Sequence, residues 1–429
     1  MRYRLLTISL FFISFCSSNI SSAQVFNVRD FGAKGDGLSD DYLPILNAVN
    51  ALNKNGKGTI LFPKGAYYIA SFNSQGSNFS DIEFKNLTKL EIVGSGSKII
   101  LNAKFHRKAD QTKGKYKYSQ TKTIVPFSIS NCKEVTIRDL EIDGGANFTT
   151  RENEIVESGG RLLVFSNSHN IVLKNLKICH ALSDGIYVAN NTSNLTGENV
   201  QSLNNARQGI SIISGNLIRF ENSKFNGNGN TEGEYIGHSP MAGIDIEPGD
   251  STKKVANVYF NKCEVQNNLG SQVIITKPGW SSGIKIENSI IDAKSSLGKY
   301  QLILAATNVT VNNNEINCGT GNLYATWNEH PNSELYLTNN RIKGQSAGIM
   351  AVTKLKDAKI IIDNNVIEFT GDTVSKYFPY IVADITFTNN KIIIPKLKNG
   401  GINSLIKVKK LENNSFTSDK GKFKPNVIN

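Results

Sequence analysis

Cysteine is scarce in this chain, and its few copies follow no pattern. Of the five, Cys132, Cys179, Cys263 and Cys318 lie far apart at spacings that match no zinc motif. They read as small buried hydrophobes. Beyond the amino terminus no apolar run approaches the roughly 20 residues that a bilayer-spanning helix needs. Helix signals stop after the first fifty residues. RNA-binding aromatic motifs and major-groove helix patterns are also missing, so nucleic acid is not the expected partner despite a formal charge of +12. That charge either attracts anionic partners or serves solubility alone. Lysines concentrate in the stretches 104–122 and 396–424.

What is present begins with a leader. Met1-Arg2-Tyr3-Arg4 precedes an apolar run from Leu5 to Phe15 and an exit of small residues, Ser21-Ser22-Ala23. A basic start, a brief apolar core and a small-residue exit describe a secretory signal peptide over residues 1–23, so the protein is expected to be secreted or periplasmic. Cys16 suggests no lipoprotein, because Phe15 before it is too bulky for that processing site. Losing Arg2 and Arg4 lowers the charge from +12 by two to +10.

The middle of the chain is a repeat. Its template is two apolar residues one apart, Asn two positions on, and an apolar residue three later. It appears as Ile171-Leu173-Asn175-Ile178, Ile218-Phe220-Asn222-Phe225, Ile284-Ile286-Asn288-Ile291 and Val309-Val311-Asn313-Ile316. It continues through Asn339, Asn364 and Asn389, with weaker copies at Asp139, Asn199, Lys262 and Asn413. From Asn175 the intervals are 24, 23, 40, 26, 25, 26, 25, 25 and 24 residues; the 40 fits one unit plus an inserted loop. A leucine-rich repeat shares this period but needs leucine and a helix or tight turn per unit. Here Ile, Val, Phe, Asn and Thr favour strands. Three short strands per unit make one coil of a right-handed parallel β-helix, and each coil pairs only with its neighbours. Residues 24–429 are therefore expected to be a single all-β domain, with 24–70 as an amino-terminal cap and first coils. Asn suits the bends because it tolerates φ > 0, and stacked amides can bond to one another.

The stretch Gly243-Ile244-Asp245-Ile246-Glu247 has two earlier counterparts, Gly185-Ile186-Tyr187-Val188 and Gly209-Ile210-Ser211-Ile212. Each begins ten residues after a ladder position, the third after an insertion spanning 228–241. Stacked, they put Tyr187, Ser211 and Asp245 in one outward row, since strand neighbours face opposite ways. Gly185, Gly209 and Gly243 would form a second outward row, a bare floor where a ligand lies flat. Arg207 would flank it, and Lys277 would sit near one edge on the next strand. The insertion carries Glu234, Tyr235 and His238, and long loops leaving a regular solenoid are often functional. The earlier insertion, from Gly144 to Gly160, would form another wall.

The run Asp30-Phe31-Gly32-Ala33-Lys34-Gly35-Asp36-Gly37, with Asp40-Asp41, a helix whose buried stripe includes Ile45, Val49 and Leu52, and then Gly58 to Tyr68 with Pro63, Gly65 and Tyr67, resembles the opening of the pectate-lyase-like superfamily. Ser39 or Asp40 would cap that helix. The resemblance spans residues 25–69 and implies a secreted right-handed parallel β-helix with a short capping helix. Members include polysaccharide lyases, polygalacturonase-like hydrolases and tailspike-like glycanases. Galacturonan hydrolases of this superfamily show an Asn-x-Asp strand, an Asp-Asp pair, a His-Gly turn and an Arg-x-Lys strand. Ser183-Asp184-Gly185 lacks the second Asp and no Arg-x-Lys follows, so ordinary polygalacturonase activity is not implied.

The groove chemistry has several readings. Asp245 and Glu247, on one face of one strand, can hold Ca²⁺, do acid–base work with one pKa raised by the other, or form a solvated polar face. Asp184 binds substrate or only backbone N–H groups. Arg207 clamps a substrate carboxylate or sulfate, or pairs with Asp245. Tyr187 donates a proton, stacks a sugar, or is a lone packing aromatic. His238 and His180 carry protons or serve the fold and surface, and Tyr235 and Trp280 contact sugar or only pack. Elimination on a uronate needs a base for the C5 proton and neutralisation of the carboxylate; Arg207, Lys277, Tyr187, His238 and Asp245 suit it. Hydrolysis needs two carboxyls flanking the bond; Asp184, Asp245 and Glu247 would supply them. A carbon–oxygen lyase acting on an acidic poly- or oligosaccharide is the first expectation, a hydrolase or a non-catalytic glycan-binding β-helix the alternatives.

Overall fold

The computed structural model describes residues 24–70, 82–101, 111–113, 116–118, 125–146, 155–157, 160–229, 237–293, 300–326, 333–345, 349–352, 359–370, 380–382, 385–394, 406–407, 410–418 and 421–422. The expected leader lies outside these residues. Two large sheets run the length of the chain, one of 25 strands and one of twelve. In the twelve-stranded sheet each strand pairs in parallel with the strand one coil later, from Glu83–Lys85 to Ile406–Lys407. This is a parallel β-helix, wound with the right-handed crossovers that parallel strands adopt. No helix among the described residues is long and apolar enough to cross a membrane.

The repeat maps onto the coils as expected. Asp139, Asn175, Asn199, Asn222, Lys262, Asn288, Asn313, Asn339, Asn364, Asn389 and Asn413 all have φ between 48° and 58°. Each sits at a one-residue bend that only a left-handed residue can make, and Asn accepts that conformation most cheaply after Gly. Their amides bond between coils: Asn175 Nδ2 donates to Asp139 Oδ1 at 2.9 Å and Asn199 Nδ2 to Asn175 Oδ1 at 3.0 Å. At Lys262 the column breaks, and Asn288 Nδ2 donates instead to Asn261 Oδ1 at 2.7 Å. The next residue of each later coil makes a second, buried column: Asn314, Asn340, Asn365 and Asn390 each donate Nδ2 to the Oδ1 of the copy above, at 3.0 to 3.1 Å. The Asn-Asn doublets carried that signal in the sequence, which the single-Asn template did not use.

Inside, one continuous apolar core runs from Phe26 to Ile394. Ile186, Ile210, Ile244 and Val273 stack in register within it. Burying one such side chain is worth about 1.5–3 kcal/mol, so stability accumulates coil by coil. The stacked rings of Phe220 and Phe260, 5.7 Å apart, continue the same column logic. All four described cysteines are buried, as expected, and burial pushes the thiols of Cys179, Cys263 and Cys318 up to about 12.

The helix Tyr42–Asn55 closes the amino-terminal end, with Ile45, Val49 and Leu52 buried and Gly56 (φ 76°) ending it. The cap position is Asp41, not Ser39 or Asp40 as expected, and it makes no side-chain capping bond; Asp40, one residue earlier, accepts the Tyr42 N–H on Oδ1 at 3.1 Å. Asp41, the residue directly before the helix, turns the other way. Its buried carboxylate accepts the N–H groups of Lys34 (2.6 Å) and Gly35 (3.1 Å), fastening the glycine turn to the helix start.

Candidate functional site

The three matched strands lie side by side. Tyr187 pairs with Ser211 and Ser211 with Asp245, with Ile274 next in the row. Two strand spacings put Tyr187 and Asp245 roughly 10 Å apart along the backbone. The row points away from the core, yet it is covered: Ser211 is 1% and Asp245 3% exposed.

The glycines do not form the expected floor. A Cβ on Gly185 would lie 2.1 Å from Ser202 Oγ, one on Gly209 2.9 Å from Asn228 Nδ2, and one on Gly243 2.6 Å from Asn268 Nδ2. Strand alternation fails at these positions because the chain is still turning out of the bend. Their missing side chains point inward, where a third amide column runs: Asn205 donates to Asn228 (2.8 Å) and Asn228 to Asn268 (2.7 Å). The glycines leave room for that column, which holds the bend from which the site residues project.

Asp184 is fully buried and held by two arginines. Arg207 Nη1 donates to both its oxygens at 3.3 Å, and Arg161 Nε lies 3.5 Å from Oδ2. Arg207 Nε donates to the Ser239 carbonyl at 3.3 Å, tying the inserted loop to the coil. The Arg161 guanidinium lies over the Tyr187 ring, 3.7 Å from its centroid. Arg207 therefore pairs with Asp184, whereas the sequence suggested Asp245. Arg161, directly after the earlier insertion, was not anticipated. Its side chain reaches the site from the neighbouring coil, a proximity that spacing alone does not reveal.

Asp245 Oδ2 accepts the amide N–H of Gln208, and Ser211 Oγ donates to Gln208 Oε1 at 2.8 Å. Oδ1 is buried without a hydrogen-bond partner among the described residues, as is Ser183 Oγ. Burial pushes the Asp245 pKa up to about 8; Glu247 and Asp184 push the same way and Arg207 opposes them. Burial also raises Tyr187, against the pull of Arg161 and Arg207. Glu247 is exposed, its backbone N–H on the Ile212 carbonyl. His238 is buried, and its N–H donates to the Ala206 carbonyl at 2.9 Å, seating the loop's return leg next to Arg207 in sequence. Tyr235 and Glu234 lie outside the described residues.

One coil on, Lys277 (φ 63°) is exposed, with Nζ 5.9 Å from the Trp280 ring. The Trp280 N–H donates to the Lys277 carbonyl at 3.0 Å. His180 belongs elsewhere: Nδ1 is 2.9 Å from Asp143 Oδ1. Burial opposes the Asp143 charge, but His180 and Lys98 hold that carboxyl far below its usual range.

The family models agree with this architecture. Residues 25–109 match the rhamnogalacturonase A/epimerase, pectate lyase-like family, and residues 69–247 the right-handed β-helix region. The amino-terminal part is thus similar to the pectate lyase-like family and the middle to the right-handed β-helices, neither match reaching half of the chain. Among curated relatives of this β-helix, alginate lyase 7 of Azotobacter vinelandii is 42% identical over 71 residues, 17% of this chain and 8% of that protein. Mannuronan C5-epimerase AlgE4 of the same organism is 36% identical over 75 residues, 18% of this chain and 13% of that protein. The SPbeta prophage-derived protein YomE of Bacillus subtilis is 23% identical over 264 residues, 60% of this chain and 35% of that protein. The β-helix thus spans only a fraction of each relative. Two solved structures share its fold: the A-module of mannuronan C-5 epimerase AlgE6 from Azotobacter vinelandii (TM-score 0.51, 16% identity, 94% of this chain and 98% of that one) and the adhesin PfbA of Streptococcus pneumoniae (0.51, 14%, 93% and 94%).

Proposed function

We propose that this β-helix is a secreted carbohydrate-active enzyme, a carbon–oxygen lyase that performs β-elimination on uronate-containing glycans. The observation that carries the reading is Asp245: a buried carboxyl, protonated near neutral pH, in one cluster with Arg207 and the Tyr187 phenol. Elimination places negative charge on the substrate carboxylate as the C5–H bond breaks, and that charge must be met by donors already in place. Protonated Asp245, neutral beneath the site, adds no opposing charge, and Arg207 supplies the positive one. His238 takes the C5 proton. Tyr187, kept a phenol by its burial, gives its proton to the C4 oxygen as that bond breaks and the C4–C5 double bond forms. Lys277 and Trp280 meet the adjoining sugar, one through charge and the other through its ring face. The activities for which the relatives are named, alginate lysis and mannuronan C5 epimerisation, favour a uronate substrate.

Ca²⁺ is the alternative way to relieve the repulsion between Asp245 and Glu247. The residues fit it partly: Asp245 Oδ1 and the Glu247 carboxylate supply two or three of the six to eight oxygens that Ca²⁺ takes. Bound there it would supply the neutralising charge instead of the Asp245 proton. Activity that survives chelation supports the proton; activity lost to chelation and restored by Ca²⁺ supports the ion.

Hydrolysis has one observation in its favour, the pairing of protonated Asp245 with Asp184. Both oxygens of Asp184 are taken up by Arg207 and Arg161, which is why elimination is preferred. The deciding experiment incubates the protein with alginate, polygalacturonate and other uronate polymers. Ultraviolet absorbance from an unsaturated product supports elimination. New reducing ends without that absorbance overturn it for hydrolysis, C5 inversion without cleavage overturns it for epimerisation, and unaltered polymer overturns catalysis in favour of glycan binding.

A further inference from the structure

We infer that Gln208, held by Ser211, is the positioning residue that keeps the Asp245 proton on Oδ1, the oxygen without a hydrogen-bond partner among the described residues. This rests on the elimination reading but concerns the free protein. Gln208 and Ser211 are both buried, at 0% and 1% exposure. Ser211 Oγ donates to Gln208 Oε1, which turns the amide nitrogen toward Asp245 Oδ2. An amide N–H can only donate, so Oδ2 must accept, and a proton on this carboxyl then resides on Oδ1. The opposite amide orientation would need the proton on Oδ2 and would set two acceptors face to face once Asp245 ionised. The observed orientation serves both states of the acid, as a group that loses and regains a proton requires. The charged groups around Asp245 are Glu247 just past the end of its strand, Arg207 and Asp184 on the adjoining turns, and Tyr187 two strands away. Among the described residues the hydrogen bond to this carboxyl is the one from Gln208 to Oδ2, so the Gln208 contact sets which oxygen carries the proton.

The experiment is infrared spectroscopy of the free protein. The carbonyl band of protonated Asp245 is identified by its loss in Asp245→Asn. With Oδ2 as the hydrogen-bonded carbonyl, Gln208→Met moves the band to higher wavenumber, and Ser211→Ala, which frees the amide to turn, broadens it in the same direction. An unmoved band in a folded Gln208→Met protein overturns the inference, because the proton would then sit on Oδ2. No substrate is involved, so a failed glycan assay leaves this arm intact. Where turnover is found, Gln208→Met lowers kcat about tenfold with KM unchanged, the worth of one hydrogen bond to an ionisable group, and moves the basic limb of the pH profile upward because the carboxylate has lost a donor. An unaltered kcat and limb overturn the positioning role.

Discussion

The Arg161 guanidinium lies over the Tyr187 ring, 3.7 Å from its centroid, while its Nε stands 3.5 Å from Asp184. One cation thereby touches both a phenol and a buried carboxylate. Such stacking is worth about 0.5–2 kcal/mol, depending on how much water is excluded. Arg161 also opposes the rise that burial imposes on the Tyr187 pKa. Arg161→Ala should raise that pKa further, read by ultraviolet titration against Tyr187→Phe. Arg161→Lys keeps the charge but not the guanidinium, and should restore only part of the shift. An unchanged titration in Arg161→Ala would detach this residue from the phenol.

Asp245→Asn should abolish turnover and stabilise the fold, and the stabilisation should depend on pH. The folded pKa of about 8 is above the ordinary 3.8, so the folded state holds a proton that the unfolded state has released between those values. Stability of the native protein therefore falls as pH rises through that window, by up to about 1.4 kcal/mol per pH unit. Asn has no such proton to lose. The melting temperatures of the two proteins should agree near pH 4 and diverge toward pH 8, with the variant higher. Parallel curves would mean that Asp245 ionises normally.

Arg207→Ala should remove both activity and stability. It leaves fully buried Asp184 with Arg161 alone. Breaking a buried pair from one side costs about 3–5 kcal/mol, and partial exposure of Arg207 places this site toward the lower figure. Arg207→Lys should fold better than Arg207→Ala yet stay impaired, because a point charge cannot bond Asp184 and the Ser239 carbonyl at once. Denaturant midpoints and turnover on the same preparations check both statements.

Gly209→Ala tests the inward direction of the glycines. The added methyl would meet the Gly243 carbonyl at 2.6 Å and Asn228 Nδ2 at 2.9 Å. Backbone cannot yield as a side chain can, so a cost of about 1–3 kcal/mol is expected. Had this position opened onto a bare floor, alanine would be neutral for stability and would affect only ligand binding.

The coils were legible because their signal is local and repeated. A left-handed bend selects Asn, and its regular recurrence identified every ladder position from Asp139 to Asn413. The row Tyr187, Ser211, Asp245 followed from counting. Alternation misled at Gly185, Gly209 and Gly243, where the strand has not yet begun and the Cβ direction is set by the turn. Gln208 was passed over for the same reason: next to Gly209 it reads as turn filler, and only the stacked coil brings it to Asp245. Arg161 escaped because it follows an insertion, so no fixed offset tied it to Tyr187.

The bonded asparagine columns have a consequence for the length of the molecule. Above Asn313 each coil repeats the left-handed bend and the buried amide contact of the Asn314, Asn340, Asn365 and Asn390 column, and none of its described residues joins the cluster around Asp245. Coils there can be added or removed as whole units while the chemistry stays fixed. The solenoid thus separates how long the molecule is from what it holds at one point along its length.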